Sequence, residues 1–597
     1  MTILLFLLIP LGIFVVASKA YGGWLARQLG ENASAPTPAH QVNDGRDFVP
    51  TRPYVLFAHH FSAIAGAGPI LGPTMAILYG VGPVWLWVVL GGVFFGAVHD
   101  YTALFVSMRE GGKSVAQVAR KTMGIAGFNL FIFFTIVMLA LVTAAFLNAT
   151  AMSLTSLWPL EKIGVQEGET FLKTMTKDGV VMGKIGGIAS MSVIIITLLS
   201  PLLGWLYYIR KAPAGLMYAL AAVICVGSVV AGIVWPVMLS AQAWMVVVSI
   251  YVFIAAGVPV WVILQPRDFI NVQILYGGMI LMLLSLISVG VQGHSLSMSL
   301  FSAESLREGT AKMGMIWPMM FITVACGAIS GFHALVSGGT TVKQLATESD
   351  ARRIGYNAML MESFLAVCVL LALAIGLSAE DYRSIVWPAA ASGVKPNPIL
   401  GFSLAAGHLF NKGLGIPVAL GTVFGILMVE GFVVTTLDAA VRLNRYLFEE
   451  LWAIALPRTP RLMAHYWFNA GLAVAIMWVL AYTNAFNALW LIFGAANQML
   501  AALALIAVTL WLLARRQKYF FAIVPAVFMI VTTFYALARI LLPQYVTQGK
   551  TPLAIAAVVL IILSIAVVAL VVLRVIRPQP VAAPADGGAG VNLKKGC

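Results

Sequence analysis

The amino-acid sequence predicts an all-α polytopic membrane protein with about fifteen transmembrane helices. Three observations predict it. Of 597 residues, 61% are hydrophobic and only 10% are charged, whereas a soluble globular chain carries about 25% charged residues to keep its surface hydrated. Apolar stretches long enough to cross a bilayer as a helix recur from Thr2–Gly22 to Leu553–Leu573. Lysine and arginine then alternate between the connecting loops as they do in a membrane protein of fixed orientation. Outer-membrane barrel strands would be half as long and alternate in polarity, and these stretches do neither.

The spans fall at 2–22, 55–79, 83–108, 126–149, 189–208, 214–236, 245–264, 272–292, 316–338, 357–377, 417–439, 465–481, 488–512, 520–540 and 552–573. With the C-terminus inside, the inner loops and tail hold 24 Lys and Arg and the outer loops 10. A missed span would reverse the bias of every loop beyond it, so the alternation supports both the count and an N-outside, C-inside orientation. Span 2–22 lacks a basic leader and a convincing small-residue cleavage site, and is read as a retained helix.

The chain divides into an N-terminal helix and cytoplasmic loop (1–54), a first transmembrane repeat with accessory helices (55–315), a second (316–573), and a Pro/Ala/Gly-rich tail (574–597) expected to be disordered. Loops 23–54 inside, and 150–188 and 378–416 outside, are long enough for local structure. The net charge of +14 sits in short loops between spans, where it meets membrane lipid headgroups, not nucleic acid. Cys225, Cys326, Cys368 and Cys597 form no CxxC pair, so no disulfide framework or zinc motif is expected. There is no GxSxG elbow, P-loop or HExxH, and no soluble domain to house one; the chain does not read as an enzyme, and no cofactor is expected.

The second span, from Phe57 to Pro73, packs three glycines and two prolines into Gly66–Pro73. Proline removes a donor and glycine permits unwound backbone, and in lipid such backbone must be buried in protein or line a wet cavity. The ninth span carries a similar run from Cys326 to Thr341. Phe61–Pro69 (FSAIAGAGP) aligns with Phe332–Thr340 (FHALVSGGT), and the two spans, seven apart, cross in opposite directions. Small residues also serve close helix packing, but two related runs of opposite direction fit a repeat whose broken helices meet near the midplane. Backbone and side chains at Gly66, Gly68, Pro69, Gly72, Ser337, Gly338, Gly339, Thr340, Thr341 and His333 are the expected substrate contacts.

Charged groups in a span cost roughly 2.5–3.5 kcal/mol on insertion scales, so each needs a partner or a function. The candidates are His59, His60, His99, Asp100, His333, Glu362, Glu430 and Asp438. His59, His60, Asp100 and Glu430 are the expected ion-coupling residues, with a proton favoured over sodium. Asp438 and Glu362, near helix ends, are expected to pair with Arg442, Arg352 or Arg353. Ser337, Thr340 and Thr341 beside unwound carbonyls keep sodium as the rival. His59 and His60 diverge by about 100° on a helix and match no zinc motif, so no metal site is expected. Asn497 and Gln498 are buried amides able to bond a substrate or a neighbouring helix.

The run Phe57–Pro73 resembles the signature of the carbon starvation protein A family. The resemblance continues through 43–50, 96–100, 259–269, 321–341, 359–363, 435–439 and 493–498. It implies bacterial inner-membrane uptake of pyruvate or peptides when preferred carbon is scarce, with proton coupling for pyruvate. It also implies the amino acid–polyamine–organocation superfamily, which favours a LeuT-like five-plus-five core with accessory helices; seven-plus-seven with one N-terminal helix is the alternative. Asp100 follows His99 where the family often has glutamine, which counts against an essential His99. The expectation is therefore a proton-coupled symporter of pyruvate or a similar small carboxylate, with peptide uptake as the alternative. A membrane nutrient sensor is disfavoured because no signalling domain is attached, and a channel because titratable groups are buried. The expected partners are the small-molecule substrate and lipids; no feature sets an oligomeric state.

Overall fold

A computed structural model of the protein describes residues 2–44, 48–163, 172–259, 261–389, 394–456 and 458–576. The tail expected to be disordered lies, beyond Ile576, outside the described residues, as do 164–171 and 390–393 of the loops 150–188 and 378–416. The bilayer forces backbone polar groups to bond within each segment, and the apolar stretches accordingly form helices. These are α1 (Thr2–Leu29), the bent pair α2 (Pro53–Ile64) and α3 (Gly68–Tyr79), α4 (Val81–Arg109), α5 (Val115–Leu154), α6 (Ile185–Ile209), α7 (Ala214–Val234), α8 (Ala241–Gly257) and α9 (Leu264–Val291). There follow α10 (Ala303–Met313), α11 (Ile316–Val324), α12 (Phe332–Gly339), α13 (Glu348–Gly376), α14 (Pro398–Leu414), α15 (Val418–Ala455), α16 (Tyr466–Thr483), α17 (Phe486–Ala514), α18 (Phe520–Ile540) and α19 (Thr551–Ile576). Among the described residues, thirteen helices are long and apolar enough to cross a membrane, the bent pair adds a fourteenth, and α8 is a shorter apolar helix. Each of the fifteen expected spans thus coincides with an apolar helix or helix pair, fourteen of them long enough to cross.

Two long loops, 150–188 and 378–416, hold more structure than their polarity announces. Within 150–188, three short antiparallel strands, β1 (Trp158–Pro159), β2 (Thr174–Lys177) and β3 (Val180–Gly183), form a sheet of order β1-β3-β2. The β2–β3 hairpin turns on Asp178-Gly179, both at positive φ (52° and 78°), the geometry an Asp-Gly turn supplies. Within 378–416, α14 is a 17-residue helix whose Phe402, Leu409 and Phe410 are buried, packed on α9, α13 and α15. His408, Asn411 and Lys412 interrupt its apolar run, which is why it reads as a loop.

Both interrupted helices are real. Between α2 and α3 the axis bends by 44° at Ala65–Ala67. The second break runs from Ala325, whose φ of 41° no helix accommodates, to Gly331. It therefore lies upstream of the glycines at 338 and 339, which close the last turn of α12. Contacts pair α3 with α11 and α2 with α12, so the two broken helices lie antiparallel. Glycine permits their close approach: a Cβ on Gly72 would stand 2.3 Å from the Val324 carbonyl oxygen, and one on Gly68 2.5 Å from Cys326 Sγ.

Loops assigned to one face meet one another. Arg109 pairs with Glu348 (2.6 Å), while Lys121 (2.7 Å) and Arg515 (2.9 Å) both pair with Glu110. At the other end, Arg383 pairs with Glu308 (2.8 Å) and Asn397 bonds Ser156 (3.0 Å). The parity of the span count is consistent with both sets.

Candidate functional site

Four elements bring titratable side chains together at the crossing of the broken helices. α4 contributes His99 and Asp100 just after a π-helical turn at Gly92–Gly96. α13 contributes Glu362 after a matching π turn at Arg352–Tyr356. Such turns rotate the downstream side chains relative to a regular helix. α12 contributes His333 and α2 contributes His60.

Asp100 is the centre. His99 Nδ1 donates to its Oδ1 and His333 Nδ1 to its Oδ2, each at 2.7 Å. His333 Nε2 stands 3.3 Å from Glu362 Oε2. His60 Nδ1 shares a 2.8 Å hydrogen bond with Thr341 Oγ1. All of these side chains are fully buried. One imidazole therefore bridges two carboxylates, and among the described residues Glu362 Oε1, His60 Nε2 and His99 Nε2 have no hydrogen-bond partner. Buried acids joined by an imidazole can hold a proton and pass it between neighbours.

A second polar cluster is built from α8, α9 and α15. Arg267 Nη1 bonds Asp438 Oδ2 at 3.2 Å, and Tyr251 donates to the same oxygen at 2.5 Å. Glu430, 3% exposed, lies in electrostatic reach of both. Beside it Ser62, Asp268, Asn271 and Thr435 line a narrow pocket with room for about one water, 10 Å³.

These placements sort the expected residues. Asp100, His60 and His333 meet, with Thr341 on His60; Glu430 belongs to the second cluster, and the exposed His59 belongs to neither. Gly66, Gly68, Pro69 and Gly72 are buried at the first interruption. Ser337, Gly338, Gly339 and Thr340 lie at the far end of α12, an 8-residue helix about 12 Å long, and are not brought to Gly66–Gly72. Thr340 is exposed and donates to its own helix at Val336 O.

Two expected pairings are corrected. Asp438 binds Arg267, not Arg442, whose guanidinium donates to the carbonyls of Ala255 and Val258 at the end of α8. Glu362 binds neither Arg352 nor Arg353, which pair with Glu31 and Asp350 (both 3.5 Å). α13 begins at Glu348 rather than at 357, so Glu362 sits halfway along the helix, out of reach of its start. Sequence reasoning also missed Arg267 and Tyr251 as partners; the buried arginine inside the 259–269 motif was the available signal.

Asn497 and Gln498 bond the neighbouring broken helix: Asn497 accepts from Phe332 N (2.9 Å) and Gln498 donates to Phe321 O (2.7 Å).

Over residues 2–399 and 389–536 the chain matches the family described as Carbon starvation protein CstA. It is 31% identical to the pyruvate/proton symporter BtsT of Escherichia coli (strain K12), over 88% of this chain and 80% of that one. It is 29% identical to the peptide transporter CstA of Bacillus subtilis (strain 168), over 88% of each. Among solved structures, a manganese transporter of Eremococcus coleocola aligns at a TM-score of 0.46 and 11% identity, covering 90% of this chain and 98% of that one. MhsT in complex with L-phenylalanine aligns at 0.43 and 13%, covering 87% and 100%.

Proposed function

This chain belongs to the carbon starvation protein CstA family, and from that premise we propose that it takes up pyruvate or a similar small carboxylate together with a proton. The observation that carries the reading is the enclosed His99–Asp100–His333–Glu362 cluster at the antiparallel crossing of two interrupted helices. Unwound backbone at Ala67–Gly68 offers the substrate carboxylate amide donors where the helix is broken. Asp100 and His333 carry the coupling proton; an imidazole bridging two carboxylates suits a proton better than sodium, which prefers oxygen ligands alone. The repeats at 55–315 and 316–573 rock about this crossing, in a five-plus-five core whose N-terminus faces outside and whose C-terminus faces inside. The pyruvate/proton symporter among the relatives supports this substrate.

Peptide uptake is the second reading, supported by the peptide transporters among the relatives and by the pocket at Ser62, Asp268, Asn271 and Thr435. Its carboxylate and oxygen acceptors suit the ammonium group that a peptide carries and pyruvate lacks.

Uptake of radiolabelled pyruvate into proteoliposomes, with an inward proton gradient, an inward sodium gradient or neither, tests the reading. A parallel set contains excess unlabelled dipeptide. Accumulation driven by protons alone and indifferent to dipeptide is expected. No pyruvate uptake, or uptake abolished by dipeptide, would move the assignment to peptides.

A further inference from the structure

Breaking a helix strands carbonyls at the end of its first half and amide donors at the start of its second. In lipid these groups must find partners in neighbouring protein. At the second interruption α17 supplies them. Trp490 Nε1 donates to Thr323 O at 3.0 Å and Gln498 Nε2 to Phe321 O at 2.7 Å, satisfying carbonyls at the end of α11. Asn497 takes the donors of α12: its carbonyl oxygen accepts from Gly331 N at 3.1 Å and its Oδ1 from Phe332 N at 2.9 Å. Its Nδ2 donates to Ser330 Oγ at 3.1 Å and Cys326 Sγ at 3.4 Å, inside the unwound stretch. The fit is tight, since a Cβ on Gly331 would stand 2.4 Å from the Asn497 carbonyl oxygen.

The residue after Phe332 is His333, in the same first turn of α12. Its ring bridges Asp100 and Glu362, so the amide that Asn497 holds is one residue from the imidazole joining the two carboxylates. Releasing Phe332 N would free this turn to rewind or swing, and a shift of about 1 Å would take His333 Nδ1 out of hydrogen-bond reach of Asp100.

We propose that Asn497 is a positioning residue for proton coupling: by capping the first turn of α12 it fixes His333 on Asp100, so that the proton crosses only with the substrate. The same bonds occupy the first donors of α12, which leaves the substrate carboxylate to the first interruption. This inference rests on the proton-symport reading above.

The test compares two assays on Asn497→Ala in proteoliposomes: pyruvate accumulation driven by a proton gradient, and pyruvate–pyruvate counterflow exchange, which needs no net proton movement. Gradient-driven accumulation is expected to fall about tenfold while exchange stays within about twofold, the scale of losing a buried hydrogen-bond network at one turn. His333→Gln should likewise lose gradient-driven accumulation. Unchanged accumulation would overturn the proposal, and so would a parallel loss of both activities in a protein with wild-type thermal stability. Should Asn497→Ala not be recovered folded, Asn497→Ser, too short to reach Phe332 N but able to fill the site, takes its place in both assays: the same split supports the proposal, and its absence overturns it. Wild-type protein that exchanges pyruvate but never accumulates it on a proton gradient would overturn the symport reading itself, before any variant is compared.

Discussion

At the scale of the residue, Asp438 and Arg442 are explained by tertiary partners more than by each other. Asp438 and Arg442 stand four apart on one helix, the spacing of a helical ion pair, yet Asp438 is taken by Arg267 and Tyr251 from two other helices. Arg442 instead satisfies carbonyls at the end of α8, a use of basic side chains at helix C-termini that sequence spacing does not reveal. The candidates for function were legible because charge inside a span is conspicuous; their pairing was not, because it depends on which helices pack. Removing one member of the Arg267–Asp438 pair leaves a buried charge uncompensated. Arg267→Met should destabilise the protein by about 3–5 kcal/mol, and Arg267→Met with Asp438→Asn should regain most of it. Thermal unfolding in detergent, followed by size-exclusion fluorescence, reads the comparison; equal losses in single and double variants would contradict the pairing.

At the scale of the element, apolar length made even fully enclosed spans legible, and the helix that escaped is one whose polar residues interrupt that length. A bilayer demands an unbroken apolar run, whereas α14, enclosed by α9, α13 and α15, tolerates His408 and Lys412 and so escaped notice. The two interruptions follow the same logic. Gly66–Pro73 marks the first break closely, because proline and glycine both oppose helix there. Glycines 338 and 339 suggest a break where α12 is intact, since glycine permits unwinding without forcing it. The second break is set at 325–331 by side chains of α17, a signal held in a different part of the chain. The crossing itself depends on glycine at position 72. Gly72→Ala should separate α3 from α11 and cost about 1–3 kcal/mol of stability through overpacking, with transport reduced; the same unfolding assay checks it, and a neutral result would contradict the 2.3 Å approach to Val324 O.

At the scale of the whole molecule, ion pairs join helix ends that are distant in sequence, Glu110 taking both Lys121 and Arg515. Burial alone would push the Glu110 carboxyl up, but hydrogen bonds from Lys121 and Trp511 and the charges of Lys121 and Arg515 outweigh it, holding it below its ordinary value. A lowered folded-state value means that this group stabilises the fold fully above the unfolded carboxylate range, about pH 4.3, and that the contribution is lost as pH falls through the folded value. Wild-type stability should therefore drop more steeply below about pH 4.5 than that of Glu110→Gln, with identical slopes counting against the contact. The fifteen-span plan and the family resemblance were both readable in the sequence, one from the bilayer's demand for apolar length and the other from long motifs; the joining of Asp100, His333 and Glu362 from three spans was not, because it exists only once the two broken helices cross.

The most direct test of proton coupling at this crossing is simultaneous measurement of pyruvate entry and internal pH in proteoliposomes, for wild type and Asp100→Asn. Wild-type entry should carry protons inward and acidify the lumen in step with pyruvate, while Asp100→Asn should exchange pyruvate without moving protons. Equal proton movement in both proteins, or pyruvate entry in the wild type with no change in internal pH, would contradict the account.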